Sequence, residues 1–260
     1  MIDDKLQQEL RAKYNPEGSQ LRQHQLRTLE ILKVVDSICK TNNINYWLSS
    51  GTLLGAVRHK GFIPWDDDID IEMLRDDFKK FNEVIPQYLP DNLKLQNHQT
   101  DKCYYWPFAK VRDERYPIKE KYNTDIRYKY HGVYIDIFCI EKGTLFLSRI
   151  SKWLHYKLCL GRSCYKSTPK IYLSLIYGVL TYLVYPFFRL CLSFRTDSRL
   201  YQTFGTGFHK HREMKDLFPL TQIEFEGHLF NAPKDTHAYL QRIYGDYMEL
   251  PNKNKIVFHI

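Results

Sequence analysis

From about Leu21 to Cys39, apolar side chains return every three or four positions, at Leu26, Leu29, Leu32, Val35 and Ile38, with Ile31 and Val34 widening the stripe. That is the helical period, so the segment predicts an amphipathic helix laid on a core and ended at Asn42-Asn43. The pattern then changes. Ile44 to Leu48 alternates as a strand, a tight turn follows at Ser50-Gly51-Thr52, and Leu53 to Arg58 starts another helix. Strand spacing returns from Asp68 to Met73, then a helix from Arg75 to Tyr88 is ended by Pro86 and Pro90. Short strands follow over Asn92 to Asn97, Trp106 to Arg112 and Val133 to Phe138. Toward the C-terminus, Ser198 to Met214 reads as helix, Ile223 to Phe230 as a hairpin around Gly227, and Asp235 to Tyr244 as a helix with Asp235 as its cap. The fold class is α/β (α+β).

Two stretches break this rhythm. Residues 113–131 are charged and tyrosine-rich with few apolar side chains, which predicts a mobile loop. Ile171 to Phe188 is eighteen residues without a charge, flanked by Lys170 and Arg189, a length at which a membrane span has to be considered. A crossing there would put the two halves of the chain on opposite sides of a membrane. Two other readings remain: a helical insert in the membrane interface, its Lys152, Lys157, Arg162, Lys166, Lys170, Arg189 and Arg195 drawn to anionic lipid, or a helical pair buried on the core. The expected organisation is a core over 1–143, a basic aromatic insert over 144–197, and a return to the core over 198–260.

With 260 residues the chain is long enough for a well-buried core, and its net charge of +8 favours a polyanionic partner, be it nucleotide, nucleic acid or membrane. The charged N-terminus lacks the apolar stretch of a signal peptide, and the six cysteines show no paired spacing, so free thiols in a reducing compartment are expected.

Against this background one block stands out. Ser49-Ser50-Gly51-Thr52-Leu53-Leu54-Gly55 is followed by Pro64-Trp65-Asp66-Asp67-Asp68-Ile69-Asp70, a small-residue turn near four acids in five positions. Carboxylates crowded this closely repel one another and call for a cation. On a strand with Ile69 facing inward, Asp68 and Asp70 share the opposite face and form a metal pair; Mg²⁺ suits such hard oxygen ligands, and Mn²⁺ is an alternative. Asp136, between Ile135 and Ile137, would meet them from a second strand and either complete the metal shell or accept the acceptor's proton, two roles that the sequence does not separate. A strand, tight turn and helix start together aim backbone N–H groups at a phosphate, and Thr52 adds a hydroxyl donor. Lys110 and Arg112 leave one strand on the same side, while Arg58, His59 and Lys60 form a second basic cluster beside the turn. Trp65 is placed to pack on a base or a cationic headgroup.

The run from Gly51 to Asp70 resembles the signature of the LicD family, bacterial phosphocholine transferases similar to fukutin-type sugar-phosphate transferases. Weaker matches lie in Tyr134-Ile135-Asp136-Ile137-Phe138, Phe225-Glu226-Gly227, and the block from Tyr244 through Asp246 to Pro251. The resemblance implies a nucleotidyltransferase-like core with a mixed sheet. It implies Ser50, Gly51 and Thr52 as the donor turn, Asp68, Asp70 and Asp136 as the catalytic carboxylates, Lys110 and Arg112 as a diphosphate grip, and Asp246 as a further substrate contact. The expected reaction passes phosphocholine from CDP-choline to a hydroxyl of a cell-surface glycan or its lipid-linked precursor, on the inner face of a bacterial plasma membrane and with no nucleic-acid partner. A nucleotidyltransferase acting on a small molecule or RNA, and a non-catalytic membrane-surface module, remain as alternatives.

Overall fold

A computed structural model describes residues 3–120, 125–196 and 199–250. Helices α1 (Asp4–Tyr14) and α2 (Gln20–Thr41) lead to β1 (Trp47–Leu48), α3 (Ser50–His59), β2 (Asp70–Leu74) and α4 (Arg75–Val84). Strands β3 (Leu93–Gln96), β4 (Ala109–Pro117) and β5 (Gly132–Lys142) follow. The seven-stranded sheet has the order β1-β2-β5-β4-β3, with β6 (Arg199–Gln202) on the far end of β5 and β7 (Arg212–Glu213) outside it. Among the described residues only β2 and β5 pair in parallel, so the sheet is mixed.

Alternation decides which face is which. In β5, Val133, Ile135 and Ile137 are buried with Leu29, Leu32 and Val35 of α2, whereas Tyr134, Asp136 and Phe138 are turned the other way and only half-buried. The hairpin is β8 (Thr221–Phe225) and β9 (His228–Ala232), and α7 (Thr236–Tyr244) is capped by Asp235, whose carboxylate accepts from Ala238 N at 2.9 Å.

Two expectations fail. Ser198 itself lies outside the described residues, but 199–202 and 212–213 are strands, because Leu200 and Tyr201 pair with Lys142 and Glu141 at an open edge of β5. The expected loop over 113–131 loses its first part, because β4 runs on to Pro117; the described residues 118–120 and 125–131 are irregular, with Asp125 and Tyr128 buried, and residues 121–124 lie outside the described set. The charges that suggested solvent are paired internally, Asp113 with Arg115 and Glu120 with Arg112.

The insert forms α5 (Leu145–His155), which winds on to Ser163, and α6 (Lys170–Ser193), one continuous helix long and apolar enough to cross a membrane by length and composition. His155 fastens the insert to the core. Its Nε2–H donates to Tyr105 O at 2.7 Å, and its Nδ1 lies 2.9 Å from the Tyr185 hydroxyl. Burial lowers its pKa to about 4 from 6.5, so the folded protein refuses a proton that the unfolded chain takes up below pH 6.5. Stability is therefore expected to fall by roughly 3 kcal/mol as pH drops from 6.5 to 4, and His155→Gln should show a shallower slope in melts over that range.

Candidate active site

The acids meet because of strand register. Asp70 on β2 lies opposite Asp136 on β5, and Asp136 lies opposite Lys110 on β4, so the three side chains rise from adjacent strands at one level. Asp136 N donates to Ile69 O at 2.8 Å, which locks that level. Asp68 and Asp66 come from the turn before β2. Together with Ser50 and Gly51 at the start of α3 they line a recess of about 390 Å³, closed on the sides by Phe108, Phe138, Phe208 and Tyr244.

Electrostatics single out this recess. Burial, then the charges of Asp68, Asp136 and Asp66, push the Asp70 carboxyl well above the usual carboxylate range. Asp66 is raised by burial and by Asp68 and Asp67. The phenol of Tyr244 is also raised, by burial and by Asp70, Asp66 and Asp68. Asp136 is raised by burial although Lys110 Nζ stands 2.9 Å from its Oδ1 and pulls the other way. Among the described residues no three acidic, histidine or cysteine side chains converge as a preformed metal cluster. The donor set nevertheless fits an ion held by one or two carboxylates and by substrate phosphates, which is how Mg²⁺ is usually bound.

Several basic and polar candidates do other work. Arg112 is fully buried and donates to Gln96, Gly132 O at 2.8 Å and Glu120, so it knits β3 to β5 and grips no diphosphate. Lys110 is committed to Asp136 and lies 3.2 Å from the centre of the Tyr134 ring. Thr52 is buried, and its Oγ1 accepts from Asp70 N at 2.8 Å, fixing the acid strand to α3. Arg58 donates to Tyr247 O and Glu249 O at 2.9 and 3.2 Å, and His59 Nδ1 lies 2.6 Å from Gln7 Oε1. With Lys60 they line a separate cleft facing α1. Trp65 packs edge-on against Tyr14 and His59, and Asp246 is exposed beyond α7, where Tyr244 takes the place beside the acids. Pro251, the end of that block, lies outside the described residues.

The two signature glycines have distinct jobs. A Cβ on Gly55 would stand 2.4 Å from Gly61 O, a packing constraint on α3, whereas one on Gly51 would stand 2.7 Å from Asp66 Oδ2 inside the recess. Gly51→Ala should therefore displace Asp66 and cut nucleotide affinity about tenfold or more while the melting temperature moves by only a few degrees. Calorimetric titration beside thermal melts checks it, and unfolding would make Gly51 a structural residue. The sequence counted Asp66 among the crowded acids and Tyr244 within a matching block but gave neither a role of its own, and it gave no sign of Arg212, whose guanidinium is buried against Glu72.

Residues 43–158 match the LicD/FKTN/FKRP nucleotidyltransferase domain. Over 250 residues the chain is 29% identical to the lipopolysaccharide cholinephosphotransferase LicD of Haemophilus influenzae, spanning 89% of this chain and 92% of that one. It is 42% identical over 53 residues to the ribitol 5-phosphate transferase FKRP of Homo sapiens, 20% of this chain and 11% of that one. With the ribitol-5-phosphate transferase FKTN of Mus musculus it shares 38% over 87 residues, 34% of this chain and 16% of that one.

Proposed function

We propose that this chain, whose residues 43–158 match the LicD/FKTN/FKRP nucleotidyltransferase domain, is a phosphotransferase that passes a phospho-alcohol, phosphocholine from CDP-choline, to a hydroxyl of a cell-surface glycan such as lipopolysaccharide or its lipid-linked precursor. The observation that carries this is the recess in which Asp68 and Asp70 face the Ser50-Gly51 helix start. Asp70, its carboxyl raised, and Asp68 beside the start of α3, which has no side-chain cap, suit the binding of a metal ion together with a diphosphate. Mg²⁺, when bound, offsets the charge developing on the leaving CMP. Asp68 and Asp70 would hold the ion. The acceptor oxygen bonds to the phosphorus that carries choline, the anhydride P–O bond breaks, and the electron pair leaves with CMP. Asp136 takes the hydroxyl proton: an ammonium at 2.9 Å makes it a poor metal ligand, and burial raises its pKa toward the working range of a base.

Incubation with Mg²⁺ and a panel of CDP-alcohols, followed by mass spectrometry, tests the reaction. CMP from CDP-choline supports it; pyrophosphate from nucleoside triphosphates would indicate nucleotidyl transfer instead. Lys110→Met should lower kcat about 10²-fold and move the acid limb of its pH profile upward, since the cation that holds Asp136 down is gone.

The insert supports a location on the inner face of the plasma membrane. Ile171, Leu175, Val179, Tyr182, Phe187, Leu190 and Phe194 recur at helical spacing and are all exposed, up to 82% at both ends of the stripe. A core helix would bury them, yet only 22% of this helix's apolar window is buried. Lys and Arg residues from Arg149 to Lys170 flank it, so an anionic bilayer is the complementary surface. Co-sedimentation with anionic vesicles at low salt, weakened by high salt or neutral lipid, is the expected result.

A further inference from the structure

Between α6 and the core runs a second cleft of about 430 Å³. Its walls come from α4, the segment 97–108 and α6, and it shares Phe108 with the acid recess. The rings of Trp106, Phe108 and Phe138 stand 5.3 and 4.7 Å apart in succession, a continuous aromatic track from the cleft to the acids. Tyr182 is 70% exposed at its rim, and Gln99 adds a carboxamide. Lys102 is exposed there too and forms no ion pair among the described residues. Flat ring faces with carboxamides suit a sugar ring, which has an apolar face and a hydroxyl edge. A cation with no internal partner suits a phosphate or carboxylate on that sugar.

We infer that this cleft is the acceptor subsite and takes an oligosaccharide bearing an anionic group, its reacting hydroxyl presented past Phe108 to the carboxylates. The inference rests on the phosphotransfer reading above. It also gives the insert a second task, since α6 supplies one wall of the cleft.

The test uses the full chain and a soluble probe, a deacylated phosphate-bearing lipopolysaccharide core oligosaccharide, titrated calorimetrically without donor. Tyr182→Ala and Lys102→Glu, both at exposed positions that carry little of the fold, should each weaken binding about tenfold. Removing the phosphate from the probe should cost the parent about tenfold and the Lys102→Glu variant nothing further. Cleavage of CDP-choline to CMP without acceptor should be unchanged in both. Parent-like binding by both variants, no binding by the parent, or donor cleavage falling in step would overturn the assignment. Failure of the parent to cleave any CDP-alcohol is a separate result that strikes the phosphotransfer reading.

Discussion

Asp70→Asn is expected to abolish transfer and at the same time to raise the melting temperature of the metal-free protein. The two effects have one cause. The Asp70 carboxylate is recessed beside Asp68, Asp136 and Asp66, and burial with their charges makes its ionised form costly. Asparagine keeps the shape, removes the charge and donates to an oxygen of a neighbouring acid. Relief on the order of 1 kcal/mol corresponds to about 2–4 °C in a domain of this size. Activity should drop about 10³-fold, roughly 4 kcal/mol of transition-state stabilisation, because an ion-bridging charge is lost. Melts in EDTA and in Mg²⁺ separate the contributions: Mg²⁺ should stabilise the parent and leave the variant where it was. Asp68→Asn should lose activity similarly. Parent-like turnover with limiting Mg²⁺ in both variants would remove these residues from the site.

The acid recess was legible because strand alternation is a local rule. Asp70 and Asp136 each stand between apolar neighbours, and the two-residue period settles that they share the face opposite Ile69, Ile71, Ile135 and Ile137, whereas Asp68, expected at the start of the same strand, lies in the turn before it. The level at which β2 meets β5 is a long-range fact, and the sequence carries no local trace of it. The basic residues were misread for the opposite reason, since each looked like a free charge. Arg58 follows Gly51 by seven helical positions, about 10 Å of rise, so a helix whose N-terminus faces the recess carries Arg58 away from it. That geometry was available beforehand. The partners of Arg112 and Thr52 were not, because Gln96 and Glu120 reach the first, and Asp70 N the second, only once the sheet has closed. Asp66 sits in a proline turn with no periodicity to orient it, and 199–202 carries too short an alternation to outweigh the helical reading of its flanks.

Arg212→Met should cost about 3–5 kcal/mol, the largest effect on stability expected from any single substitution near the site. Glu72 continues the acidic face of β2 two residues beyond Asp70, but it is wholly buried and carries no catalytic assignment. Arg212, equally buried, donates to both its oxygens, and Tyr239 of α7 and Trp47 of β1 donate at 2.8 and 3.2 Å. This one carboxylate therefore ties the acid strand to the C-terminal elements that bring Gln202 and Tyr244 to the recess. Methionine fills much of the volume but leaves the Glu72 charge with neutral donors alone, so the penalty is that of an unpaired buried ion rather than of a cavity. Denaturant unfolding should show the loss, and pairing Arg212→Met with Glu72→Gln should recover most of it, because the stranded charge is then gone. A double variant no more stable than the single one would mean that Arg212 acts through packing on Phe208 and Tyr239, whose ring centres lie 4.9 and 5.7 Å from its guanidinium.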